Sequence, residues 1–207
     1  MVETGTKVLV DPYHGGSESA DTVHEGARFP ESPFTVADLA GVDVVAVTHA
    51  GYDHRAQAID VVLAGSAILL CGTALYGVAK EAGVPPERLA GAVSGVTFRH
   101  ADVTIKTLDG LHTSNMVWRG QFIADEPMSF MLTTDPGSRI FCGGDFSILG
   151  DLRTWGELFS PEVGILAIGG LSARPGQHDR VAHSGCRHRR RMARRLACDS
   201  AALPARG

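Results

Sequence analysis

Residues 42–54 read Val42-Asp43-Val44-Val45-Ala46-Val47-Thr48-His49-Ala50-Gly51-Tyr52-Asp53-His54. The valine-rich opening is too short for a helix, and its composition predicts a strand buried on both faces. It stops abruptly in a polar segment. Such a strand delivers neighbouring side chains into the crevice at its carboxyl edge. Two imidazoles and a carboxylate there offer neutral nitrogen and anionic oxygen donors, a set that suits zinc, manganese or iron. An isolated His-Asp-His set would weigh little, because surface histidines are common; its place directly behind a buried strand and a threonine raises its weight.

Working outward, Lys7-Val8-Leu9-Val10 predicts a second strand, ended by the turn Asp11-Pro12. Residues 13–41 are rich in Gly, Ser, Glu, Pro and His, and predict a long functional loop with one helical turn at 36–39. Downstream, a helix is expected over 56–63, ending at Gly65, then a strand over 67–71. Thr73 is placed to cap a helix that runs to Ala82 and stops at Gly83-Val84-Pro85-Pro86. This alternation is an α/β signature. The middle then changes character. Short β-rich runs are expected at 95–99, 102–107, 129–134 and 138–142, the last two joined by the hairpin turn Asp135-Pro136-Gly137. A helix over 151–159 and a final buried strand over 163–168 follow, closing at Gly169-Gly170. Mixed β order flanked by helices fits a layered α/β (α+β) sandwich.

Composition agrees. The 207 residues are 44% hydrophobic and 20% charged, which excludes a mainly disordered, collagenous or coiled-coil chain. No apolar run approaches the roughly 18–20 residues that span a bilayer, and the N-terminus has no apolar signal region. The expectation is a cytoplasmic protein with no membrane partner. Cys71 and Cys142 each end an apolar run and read as buried, reduced thiols rather than disulfides or zinc ligands. The formal charge of −4 hides two unlike parts: residues 174–207 carry nine basic and two acidic residues, leaving the rest at −11. The chain therefore divides into a patterned domain at 1–170 and a basic tail at 171–207, read as disordered or as a non-native ending. Its clustered arginines would suit a nucleic-acid arm, but the acidic body would repel a phosphate backbone. Nucleic acid is accordingly a disfavoured partner.

Two more groups occupy strand ends. His112 lies in Leu108-Asp109-Gly110-Leu111-His112-Thr113-Ser114, and Asp145 in Cys142-Gly143-Gly144-Asp145. Glycines ahead of the aspartate let the backbone come close and set the carboxylate over a site. Each alone reads more readily as a turn residue than as a ligand. Three groups in this order, each just after an expected strand, are much harder to assign to turns. Trp118, Phe122 and Met128 are candidates for an apolar pocket, although large side chains more often pack on their own domain.

Taken in order, Val8-Leu9-Val10-Asp11-Pro12, the 43–54 segment, His112 and Gly144-Asp145 resemble the metallo-β-lactamase-fold hydrolases, and within them the ascorbate-6-phosphate lactonase-like branch. The likeness runs from about Lys7 to Gly170. It implies a four-layer αββα sandwich with one or two ions, zinc or manganese, at one edge of the paired sheets. His49 and His112 would bind the first metal, Asp53 and His54 the second, and Asp145 would bridge them. A metal-held hydroxide would attack a carbonyl or phosphoryl centre of a small-molecule ester, lactone or phosphoester, with Asp53 as the catalytic carboxylate. Thr48, Asp43 and the glycines would be supporting structure. A homo-oligomer is compatible with the resemblance.

The sequence departs from the family pattern at three places. The motif His-x-His-x-Asp-His has its second histidine on Gly51 here, which offers no donor. The usual opening strand pair and the late histidine find no counterpart; His178 and His183 lack the family's surroundings, and His14, His24, His100 and His188 read as loop or surface residues. Two function classes follow: a metal-dependent hydrolase, or a degenerate, non-catalytic relative with weakened metal binding.

Overall fold

The computed structural model describes residues 5–13, 32–135 and 137–167, with the backbone alone of 2–3, 172–174 and 177–179. The first sheet holds β1 (Val2–Glu3), β2 (Lys7–Val10), β3 (Val44–Ala46), β4 (Ile68–Cys71) and β5 (Leu89–Gly91) in that spatial order. β1 is antiparallel to β2, and β2 to β5 run parallel. Parallel neighbours need crossovers, supplied after β3 by α1 (Tyr52–Arg55) and α2 (Ala58–Ala64), and after β4 by α3 (Thr73–Glu81).

The second sheet is built from β6 (Thr97–His100), β7 (Val103–Asp109), β10 (Met128–Thr134), β11 (Arg139–Cys142) and β12 (Val163–Ile165), in the order β12-β11-β10-β7-β6. It is antiparallel except at β11–β12, where α4 (Asp151–Phe159) makes the crossover. Between β7 and β10, β8 (Asn115–Trp118) and β9 (Gln121–Ala124) form a separate hairpin. β13 (Ser172–Arg174) and β14 (Gln177–Asp179) pair antiparallel within the stretch assigned to the basic tail.

Strand alternation sorts the core into three layers. Val8, Val44, Ala46 and Leu70 of the first sheet meet Ile105, Phe130, Leu132 and Cys142 of the second. On the outer face of the first sheet, Leu9, Val45, Leu69 and Cys71 pack against α2 and α3. On the outer face of the second, Met131 and Phe141 pack against Leu152 and Trp155 of α4. The result is helix, sheet, sheet, helix, the mixed α/β sandwich expected. The two sheets are also pinned by Asp102, whose carboxylate accepts the Gly5 and Thr6 amides and the Thr6 hydroxyl.

Several local expectations need correction. The helix expected over 56–63 is α2, which starts only at Ala58, because at Gln57 the backbone leaves helical geometry and its N–H bonds Pro12 O at 3.3 Å; a separate single turn, α1, precedes it. Thr73 makes no cap: Gly72 is the N-cap residue and the Asp125 carboxylate, from β9's end, accepts the Ala74 N–H at 2.9 Å. The strand expected as buried over 163–168 is β12, with Val163 and Ile165 half exposed, since an edge strand pairs on one side only. Met128 belongs to the inter-sheet core, Phe122 is exposed, and Trp118 lies half-buried with its indole N–H on Glu81, so these three line no common pocket. Most of the 13–41 loop, Pro136, and the side chains of His14, His24, His178, His183, His188, Cys186 and Cys198 lie outside the described residues.

Candidate metal centre

β3 ends at Ala46, and the chain continues into a tightly held turn. The Thr48 carbonyl accepts the Met128 N–H at 2.8 Å, the Ala50 N–H donates to Ser114 Oγ at 2.9 Å, and the Ala50 carbonyl accepts from Arg55 Nε at 2.8 Å. The turn directs the buried His49 ring toward His54 on α1, with ring centroids 4.0 Å apart. From the second sheet, Gly143-Gly144 carries Asp145 over the same spot. Gly144 has φ +58, and a β-carbon there would sit 2.6 Å from Thr48 Oγ1, so position and conformation both demand glycine. The His54 Nε2 and an Asp145 carboxylate oxygen are 3.7 Å apart.

One donor atom from each of His49, His54 and Asp145 lies within 4.8 Å of the other two. Donors around a tetrahedral zinc ion at about 2.1 Å stand about 3.4 Å from one another, so these three fit a single cation after a small contraction. Asp53 and His112 are close but outside that set. A carboxylate oxygen of Asp53 is 3.8 Å from His54 Nε2, and the exposed His112 ring meets His49 edge-on with centroids 5.1 Å apart. The structure thus brings all five expected residues to one rim and clusters three of them tightly.

Asp11 is the residue that the sequence reading assigned only to a turn. Its carboxylate accepts the Thr48 N–H at 2.8 Å and the Thr48 hydroxyl at 2.7 Å, and bonds His54 Nδ1 at 2.8 Å. The Thr48 proton is committed to Asp11, so Thr48 Oγ1 can only accept from His49 Nδ1, 3.1 Å away. One carboxylate therefore fixes both imidazoles with Nδ1 protonated and Nε2 facing the centre. A second missed pair is Ser114 and Asp125: Ser114 bonds Asp125, which also holds the start of α3, linking the His49 turn to the loop after His112. Asp11 carried a signal, its place at a strand's end before proline; Ser114 and Asp125 carried none.

Burial presses the His49 ring down to about 3, helped by His54 and His112 and opposed by Asp145. Burial would lower His54 too, but the bonds to Asp11 and Asp145 and the charges of Asp11 and Asp53 raise it to about 10. The facing His54 is the main reason that Asp145 is held down to about 2. The metal-free centre is thus a half-buried imidazolium between carboxylates. Away from it, burial pushes the unpaired Cys71 and Cys142 thiols up to about 12, as inert buried groups.

The beta-lactamase superfamily domain family matches residues 6–203. The chain belongs to that family. Among its relatives, a protein of Nitratidesulfovibrio vulgaris named UPF0173 metal-dependent hydrolase is 29% identical over 81% of this chain. One of the same name from Rubrobacter xylanophilus is 26% identical over 80%. The chain spans 63% of the length of each. In fold alone, the chain is similar to a possible metal-dependent hydrolase from Veillonella parvula, with TM-score 0.70 at 19% identity over 95% of this chain and 77% of that one. Among the described residues, no helix is long and apolar enough to cross a membrane.

Proposed function

We propose that the protein is a metal-dependent hydrolase of lactonase-like type, acting on a small-molecule ester, lactone or phosphoester with zinc or manganese. The convergence of His49, His54 and Asp145 within 4.8 Å carries this reading. The relatives named metal-dependent hydrolases support it. A bound divalent cation supplies Lewis-acid polarisation and lowers the pKa of water toward about 7.

The protein's own groups then have separable tasks. His49, His54 and Asp145 hold the cation, and Asp11 with Thr48 keeps both rings turned toward it. Asp53, half-buried beside His54, is the carboxylate that takes a proton from the attacking water and returns it to the leaving group. His112 stands at the exposed rim as a further donor. The two unpaired buried thiols suit a reducing, cytoplasmic compartment.

The test joins metal content to turnover. Protein purified without added metal should contain about one or more equivalents of a transition metal, and should hydrolyse a member of a lactone, phosphodiester and thioester panel. Less than about 0.2 equivalents of any such metal would refute the reading. Gly51 supports a second reading, a decayed centre. Restoring a donor with Gly51→His separates them: a decayed centre gains metal, whereas a functional one adapted to glycine gains little.

A further inference from the structure

The second sheet has an outer face that the metal centre does not use. Along β6, β7, β10 and β11, Phe98, Ile105, Leu132 and Ile140 point into the layer between the sheets, so their neighbours in each strand point outward. The strand register sets these outward residues in rows. One row reads Thr97, Lys106, Met131, Phe141, and its last two members pack under α4. The next reads Arg99, Thr104, Thr133, Arg139, and none of these four belongs to the cluster beneath the helix. Two arginines thus flank two threonines, with Lys106 alongside. Arg139 opens β11, whereas Asp145 follows its other end, so this row lies at the end of the sheet away from the metal centre.

The cations of this face are not neutralised. Arg99 donates from Nη1 to Thr104 Oγ1 at 2.8 Å, and the Lys106 ammonium bonds the Gly95 carbonyl. Both acceptors are uncharged. Among the described residues no carboxylate pairs with the side chain of Arg99, Lys106 or Arg139. Glu162 is near, but its carboxylate accepts the Arg139 backbone N–H, at 3.2 Å. Arg139 Nε is buried and has no hydrogen-bond partner. Such a donor is costly to leave unsatisfied, and an acceptor brought by a ligand would satisfy it.

Spacing narrows the acceptor. The bond to Thr104 draws the Arg99 guanidinium toward β7, and Arg139 starts two strands further on, about 9–10 Å away. Thr133 stands between them and makes no side-chain hydrogen bond among the described residues. A tetrahedral oxyanion presents oxygens to both guanidinium groups and to a hydroxyl beneath it, with bonds of about 2.8 Å on each side. A planar carboxylate, with both oxygens on one edge, cannot serve all three.

From this we propose that the outer face of the second sheet binds a phosphoryl group, seated over Thr133 between Arg99 and Arg139 with Lys106 beside it. The ligand is inorganic phosphate or a small phosphate monoester. Arginine suits such a group because its planar fork bonds two oxygens at once. The row holds no aromatic side chain on which a base would stack, which favours a small phosphate over a nucleic-acid strand. The site stands independently of the hydrolase reading.

Metal-free full-length protein is titrated calorimetrically with inorganic phosphate and, separately, with phenyl phosphate. The expected result is a saturable site with Kd below about 1 mM for at least one of them. Tighter binding of phenyl phosphate names an ester as the ligand, and any other order names the free ion. Arg99→Gln and Arg139→Gln should each weaken this binding at least about tenfold, because a hydrogen bond to a charged group carries about that factor. His54→Gln should leave it unchanged, which separates the site from the metal centre. Circular dichroism checks folding; if Arg139→Gln is unfolded, the exposed Arg99 alone decides. Kd above about 1 mM for both phosphates, a smaller loss in the folded arginine variants, or loss in His54→Gln would overturn the proposal and leave the hydrolase reading standing. So would an oligothymidylate that binds more tightly than either phosphate and depends on the same arginines.

Discussion

Loading the centre with a cation should expel one proton. In the metal-free protein His54 titrates at about 10, because Asp11 and Asp145 favour its charged form against burial, whereas a cation takes only the neutral ring. Between pH 7 and pH 8 the neutral fraction of such a ring rises about tenfold, so affinity should tighten about tenfold, or about 1.4 kcal/mol. At the ordinary histidine value of 6.5, about three-quarters of the rings would already be neutral at pH 7, and the same step would tighten binding only about 1.3-fold. His49 at about 3 and Asp145 at about 2 carry no proton in this range and leave the slope alone.

Calorimetric titration with Zn2+ in two buffers of unlike ionisation enthalpy counts the proton directly. Asp11→Asn supplies the control. Asp11 has φ +50, a conformation that asparagine also tolerates, so the turn survives while the anionic acceptor is lost. The pH slope of binding should then be flatter than tenfold, moving in the direction of the 1.3-fold figure while Asp145 and Asp53 still favour the charged ring. Stability follows the same sign. A raised histidine value stabilises the metal-free fold fully below 6.5, and that contribution is lost as pH rises through about 10. The melting temperatures of wild type and Asp11→Asn should therefore converge at the alkaline end. Release of less than about 0.3 proton per cation between pH 7 and 9, or a wild-type slope in Asp11→Asn, would refute the reasoning.

Two other substitutions probe the scaffold. Asp125→Ala strands the Ala74 N–H and the Ser114 hydroxyl, and should cost about 2–3 kcal/mol in a urea melt; because Ser114 also holds the Ala50 N–H, cation affinity should fall with it. Phe130→Ala empties a fully buried position between the sheets and should cost about 3–5 kcal/mol. It should leave cation stoichiometry at the wild-type value, since Phe130 belongs to the inter-sheet layer rather than to the centre.

The amino-acid sequence by itself determined the architecture and the donors. Apolar runs such as 44–46 and 68–71 have few alternatives to buried parallel strands, and alternation in 128–134 sends Phe130 inward and Met131 outward, because side-chain direction in a strand is a local property. His49, Asp53, His54, His112 and Asp145 were legible for the same reason: each follows a strand, and strand ends share an edge. Only the tertiary structure decided which of the five come within a cation's reach, and that Asp11 orients the His54 ring from 43 residues away and, through Thr48 at 37 residues' distance, the His49 ring. The cap on α3 and the brace through Ser114 and Asp125 were equally invisible, since a carboxylate from another hairpin replaces the local threonine. Gly51 shows the divide most sharply. In the linear chain it is a missing ligand, whereas in the fold it is the space into which His49 Nε2 settles, because steric exclusion depends on what arrives from elsewhere in the chain.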